Sequence, residues 1–140
     1  NSLYEKIRGT GFDHIQPLII DFTYPSPAIG TGNTERPSFL QRLGKRDLGY
    51  CLAFIHHLCI GKNIPLQKLA ELLADSCHIL IIEFVPKTDE KVQVLLQQKA
   101  DIYPDYHAAG FEQSFSTCFR IEKTATIPGT DRTLYLMRSK

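Results

Sequence analysis

Three runs of consecutive apolar residues punctuate the chain, and each is closed by a carboxylate or an imidazole. Leu18, Ile19 and Ile20 end at Asp21, the run over 48–55 (LGYCLAFI) ends at His56 and His57, and the run over 79–82 (ILII) ends at Glu83. Short continuous apolar runs rich in branched side chains suit strands covered on both faces, as in a parallel sheet. Between and after them the spacing becomes helical. Asn63 is placed to cap a helix with Pro65 in its first turn and Leu66, Leu69, Ala70 and Leu73 along one side,. Asp89 is placed to cap a second, with Val92, Leu95, Leu96 and Lys99 on one side, and GFEQSFSTCF gives a third through Phe111, Phe115 and Cys118. A short helix is predicted over 2–8, capped by Ser2, ended by Gly9, with Leu3 and Ile7 sharing a face,. From 22 to 46 the pattern dissolves into TYPSPAIGTGNTERPSF, a loop with room for a short helix at SFLQRL,. Loops of that length in compact chains are usually functional or mobile. The final stretches FRIEKTATI and RTLYLMRS read as two strands joined by the turn signal PGTD,. The order predicts an α/β fold: a mostly parallel sheet with helices on its faces, closed by a C-terminal antiparallel hairpin.

Composition narrows the class. The 140 residues are 43% hydrophobic and 22% charged, which fits one soluble globular domain,. No apolar run is long enough to span a bilayer, and the start NSLYEKIRG has no signal-peptide core,. A net charge of +1 gives no footprint for nucleic acid or an anionic membrane, so neither is expected as a partner,. Cys51, Cys59, Cys77 and Cys118 form no CxxC pair, and two of them lie in apolar segments, the usage of reduced cytoplasmic thiols,. The only methionine is Met137, so the chain is expected to be processed or cut from something longer.

The three run ends carry the candidate chemistry. Parallel strands of an open α/β sheet end on one edge, and ligands bind in the crevice along it. The sequence thus predicts an acid, two imidazoles and another acid on a shared rim. Each has a plainer reading. An aspartate after a strand more often caps the following turn, and of two adjacent histidines one can pack while the other faces water. Three such endings in register favour a site. Metal is not expected, because neighbours at i and i+1 do not share a face and the cysteines have no zinc spacing. No cysteine sits in a known nucleophile signature with a histidine.

Taken together, LIIDF, RDLGYCLAFIHHL, LIIEFVPKTDEKVQVLL and GFEQSFSTCFRIEKTATIPGTDRTLYLM resemble the later half of class I S-adenosylmethionine-dependent methyltransferases. The resemblance is to the subgroup that includes the rhizobial host-specificity nodulation methyltransferase, with YPSPAIG...ERPSFLQR similar to its insertion after the third strand. It covers nearly the whole chain and implies a Rossmann-like fold with S-adenosylmethionine as cofactor of the intact parent. By resemblance, Asp21 matches the acid that hydrogen-bonds the adenine amino group and Phe22 the residue beside the ring. His56 and His57 match the strand exit lining the donor and acceptor pocket, and Glu83 would face the acceptor. The family's glycine-rich loop after its first strand and its ribose-binding acid after the second have no counterpart here. Residues 1–140 are therefore expected to be a single incomplete domain, the C-terminal part of a methyltransferase domain. Such a piece is expected to expose a sheet edge, to self-associate or take a partner supplying the rest, and to bind cofactor weakly or not at all by itself.

The activity implied is methyl transfer by in-line displacement, with a small-molecule acceptor and His56 or His57 as the base, since histidine titrates near neutrality. The rival is a non-catalytic Rossmann-like interaction module whose 22–46 loop, with Arg36, Arg42, Lys45 and Arg46, contacts a partner.

Overall fold

A computed structural model of the protein describes residues 5–7, 10–11, 14–97 and 100–140. Residues 5–7 are helical, while Ser2, Leu3 and Gly9, expected to cap and shape that helix, lie outside the described residues, as does Lys99. The elements that follow are α1 (Phe39–Leu43), β1 (Arg46–Cys51), a π-helical turn (His57–Gly61), α2 (Leu66–Ser76), β2 (Cys77–Phe84), α3 (Glu90–Gln97), α4 (Ala108–Ser116), β3 (Phe119–Thr126) and β4 (Thr133–Ser139).

Local chemistry explains most boundaries. The short helix expected at SFLQRL forms as α1, started by a capping box in which Ser38 Oγ accepts from Gln41 N and Gln41 Oε1 accepts from Ser38 N,. Asp89 caps α3 as expected, its Oδ1 accepting from Lys91 N at 3.0 Å,. At α4 the cap is an imidazole: His107 Nδ1 accepts from Gly110 N at 3.1 Å. A Cβ on Gly110 would lie 2.1 Å from the Asp105 carbonyl oxygen, so only glycine lets this helix start so close to the preceding segment,. The final hairpin turns through Gly129 at φ 75°, with Ile127 N donating to Arg132 O.

The sheet is mixed, in the order β1-β2-β4-β3. β1 and β2 run parallel, with Leu48 opposite Ile79 and Cys51 opposite Ile82. β4 inserts antiparallel beside β2, with Phe84 opposite Thr133, and β3 closes the far side. The expected hairpin is therefore present, but the expected mostly parallel sheet is not: one junction of the three is parallel. The difference traces to Leu18, Ile19 and Ile20, which form no strand and are 59%, 89% and 37% exposed. Pro17 withholds a backbone donor just before them, and Asp21 closes a turn just after, which leaves too short a run to hold a ladder by itself,.

One face of the sheet carries the core. Leu80, Ile82, Tyr135 and Met137 are buried with Leu69, Ala70 and Leu73 of α2 and Phe111 and Phe115 of α4. The Phe111 ring stacks against Phe84, Phe115 and Tyr135 at centroid distances of 5.1, 4.3 and 4.9 Å,. On the opposite face, Ile79, Ile81, Leu134 and Leu136 are only half-buried, and Leu48 and Tyr50 of β1 are exposed.

Two expected boundaries move. β1 stops at Cys51, four residues before the end of the apolar run, because the chain turns out of the sheet at Leu52–Phe54. α2 is preceded by Pro65 at its N-cap, not Asn63. Asn63 lies in the left-handed region at φ 58°, and its Oδ1 accepts from the Tyr103 hydroxyl instead.

Candidate functional site

The C-terminal ends of the parallel pair β1 and β2 lie side by side, and the turn that leaves β1 is fixed by a side chain of β2. Glu83 Oε2 accepts from Ala53 N at 2.7 Å, and Glu83 Oε1 accepts from Arg132 Nη1 at 3.0 Å. Arg132 also donates through Nε to Asp89 Oδ2 at 2.7 Å. These side chains are largely removed from water: Arg132 is 19% exposed, Glu83 7% and Asp89 13%. Hydrogen bonding to the Arg132 guanidinium holds the Asp89 carboxyl below its ordinary range,. One guanidinium thus ties the residue before β4, the end of β2 and the cap of α3 to the turn after β1.

That turn is strained. Ala53 sits at φ 48°, a left-handed conformation that disfavours any residue with a Cβ,. The bond from its N–H to Glu83 compensates. Ala53→Gly should therefore raise stability by about 0.5–1 kcal/mol, because relief of left-handed strain outweighs the extra chain entropy of glycine. Urea denaturation of the variant measures this, and an unchanged or lower midpoint would show that the turn carries no strain.

Past the turn, Ile55 and His56 enter the helical segment that becomes the π-helical turn. The two histidines are accordingly not at the lip of a strand, as the sequence suggested, but one turn beyond it. They differ sharply: His56 is completely buried and His57 is exposed. Their rings lie 4.1 Å apart. Neither Nδ1 nor Nε2 of His56 has a hydrogen-bond partner among the described residues. Burial, with smaller contributions from His57 and Arg132, pushes its pKa down to about 4, so it is a neutral imidazole at pH 7,.

Asp21 also departs from expectation, since no strand precedes it. Its carboxylate is exposed, and Oδ1 accepts from Thr23 N at 2.8 Å and Thr23 Oγ1 at 2.6 Å. These bonds hold its carboxyl below the usual range. Phe22, next in sequence, packs edge-on against Phe54 at a centroid distance of 5.7 Å. That contact brings the 21–22 segment to the turn that Glu83 clamps. Phe22, His56 and Glu83 therefore converge on one border of the sheet. Glu83 does so with both carboxylate oxygens already engaged by the protein, not open to an acceptor as expected.

Arg132 and Ala53 escaped the sequence reading. The turn signal PGTD put Arg132 just ahead of the last strand, but it is the pairing of that strand with β2, which no local signal encodes, that brings it to Glu83. Nothing in the sequence marks Ala53. Elsewhere, a cavity of about 330 Å³ lies between the start of α2 and the 102–106 segment, lined by Cys59, Ile64, Leu66, Tyr103 and Tyr106 among others, and none of Asp21, Phe22, His56, His57 and Glu83 lines it. Among the described residues, no group of three or more His, Cys, Asp or Glu could hold a metal ion, and no helix is long and apolar enough to cross a membrane.

The chain is 40% identical over 119 residues to Nodulation protein NoeA of Rhizobium meliloti (strain 1021). The match takes in 85% of this chain and 25% of that protein, so the chain spans about a quarter of the length of the curated relative. No family model matches the sequence, and no solved structure matches the fold.

Proposed function

We propose that this chain is the later part of a class I S-adenosylmethionine-dependent methyltransferase domain, acting on a small molecule in a cytoplasmic parent protein. The observation that carries the reading is the border of the β1–β2 pair, where the Phe22–Phe54 contact, the clamped Ala53 turn and the histidine pair meet. Support also comes from the antiparallel hairpin packed beside the parallel strands, as the sequence resemblance implies, and from the relative's being a longer protein.

The residues present suit one end of the cofactor. The Asp21 carboxylate is exposed, so an amino group can reach it, and the ring of Phe22 is braced by Phe54. The glycine-rich loop and ribose-binding acid of the family have no counterpart in this sequence, so the ribose and methionine ends find no assigned partner here. Bound S-adenosylmethionine supplies a methyl group activated by a sulfonium. The work left to this chain is to place the acceptor, exclude water and remove a proton. His57 is the base in this reading, because an acceptor can reach it without rearrangement, whereas the buried His56 packs beneath it and positions it.

Calorimetric titration tests both levels. The 140-residue chain should show no micromolar binding of S-adenosylmethionine or its demethylated product. A parent protein joining it to the remainder found in the relative should bind the product, with Asp21→Ala weakening the affinity about tenfold or more, near 1.4 kcal/mol. In that parent, His57→Ala should slow turnover about 100-fold, the contribution of a positioned base. A parent that binds neither ligand would overturn the assignment and favour the interaction module, whose Arg36, Arg42, Lys45 and Arg46 are all exposed.

A further inference from the structure

The 330 Å³ cavity at the start of α2 adjoins a second hollow of about 280 Å³, and Gln67, Asp105 and Ser114 line both. The two differ in chemistry. Ile64, Tyr103 and the buried Cys59, Leu66 and Tyr106 give the first a mostly apolar lining. The second adds Gln113 and Thr117 to the three shared residues, so amides, hydroxyls and one carboxylate surround it. Asp105 and Gln113 are exposed, so a ligand can reach them. The walls are held in place before anything binds. Lys87 Nζ donates to Tyr103 O at 2.7 Å and to the Asp101 carboxylate at 2.8 Å. The Tyr106 hydroxyl donates to Val85 O at 3.0 Å, and the Tyr103 hydroxyl bonds Asn63. Gln67 Nε2 donates to Thr117 Oγ1 at 3.0 Å, which ties α2 to the end of α4. A preformed cleft of this size, apolar with a few convergent polar groups, is the usual form of a small-molecule site.

We infer that the two hollows form one binding site for a small hydroxyl-bearing molecule without negative charge, with an apolar ring in the first hollow and the hydroxyls in the second. Hydroxyls both donate and accept, which matches a set made of an acceptor carboxylate, two amides and two hydroxyls. The apolar lining removes a ring from water, and tyrosines beside leucine and isoleucine suit a flat one. Charge narrows the class further. Among the described residues lining either hollow there is no Lys, Arg or His, while Asp105 stands where the two meet. An anionic ligand finds no partner there and is repelled by that carboxylate. An aryl glycoside has the required shape and chemistry. Every residue lining the cleft lies within 59–117 of this chain, and none of those assigned to methyl transfer is among them, so the inference is independent of that reading.

Titration of the isotope-labelled chain with phenyl β-D-glucopyranoside, followed by amide chemical shifts, tests this. Saturable shifts should appear at Gln67, Asp105, Gln113 and Ser114, with a Kd of about 1 mM or below. Glucose, which lacks the ring, and phenyl phosphate, which carries negative charge, should each bind about tenfold more weakly or worse. Asp105→Ala and Gln113→Ala, both at exposed positions, should weaken the glucoside about tenfold, and Asp105→Lys should improve phenyl phosphate binding by a similar factor. Absence of shifts up to about 10 mM, shifts confined to residues outside the cleft, or equal binding of phenyl phosphate by the native chain would overturn the proposal. Native affinity for the glucoside in both alanine variants would overturn it equally.

Discussion

Arg132→Ala should cost the fold about 3–5 kcal/mol, the loss typical of removing one partner from a buried ion pair. The guanidinium is the only cation bonded to Glu83 or Asp89 among the described residues, and removing it strands two carboxylates that are 7% and 13% exposed. The favourable attraction between such groups is largely offset by desolvation while both are present, so the large effect appears only when one is taken away. The control follows from that logic. Arg132→Met combined with Glu83→Gln and Asp89→Asn removes the charges together and should recover part of the loss. Urea midpoints at pH 7 measure all of these, and a loss below about 1 kcal/mol for Arg132→Ala would show that water screens the cluster as it does a surface pair.

The second large effect concerns acid. His56 folds as a buried neutral imidazole with its pKa pushed down to about 4, against about 6.5 when the chain is unfolded. Between those values the unfolded chain holds a proton that the folded one does not. Stability from this residue is therefore fully present above pH 6.5 and is lost as pH falls towards 4, about 3 kcal/mol in all. The charged neighbours act in both directions: His57 and Arg132 oppose protonation, while Asp89 and Glu83 favour it. Because other carboxylates also titrate at the lower end of the window, the informative quantity is a difference. His56→Phe, which replaces a buried ring without hydrogen-bond partners by an apolar ring, should be at least as stable as the native chain at pH 7. It should also lose less stability than the native chain between pH 7 and pH 4.5. Parallel pH profiles would mean that His56 is charged or solvated in the folded state.

Much of this arrangement was legible in the residue pattern. The run at 79–82 became a central strand, the helical spacings at 66–73 and 111–115 became the two helices over the core, and PGTD marked the hairpin, because in each case local preference and burial demand the same conformation,. The failures share a cause. Leu18–Ile20 satisfies the local rule for a strand, yet a strand exists only if something pairs with it, and no pattern within three residues encodes that. The run at 48–55 was divided by a hydrogen bond reaching thirty residues along the chain, from Ala53 N to Glu83. At the candidate site the residue pattern pointed to the histidine pair and Glu83 as polar ends of apolar runs, but not to which histidine is covered, nor to the commitment of Glu83 to holding the backbone.

The placement of β4 inside the sheet shapes how the molecule is assembled. β3 and β4 are neighbours in sequence and can zip up locally around Gly129, whereas β2 must wait for residues 133–138 to return across a span of some fifty positions. Closing a loop of that size carries an entropic barrier that contacts repay only afterwards. The order of events that follows is an early hairpin docking onto a preformed β1–α2–β2 unit, with Tyr135 and Met137 reaching the aromatic core in that final step. The rate-limiting transition state should then be sensitive to changes at the β2–β4 seam and indifferent to changes in the hairpin tip.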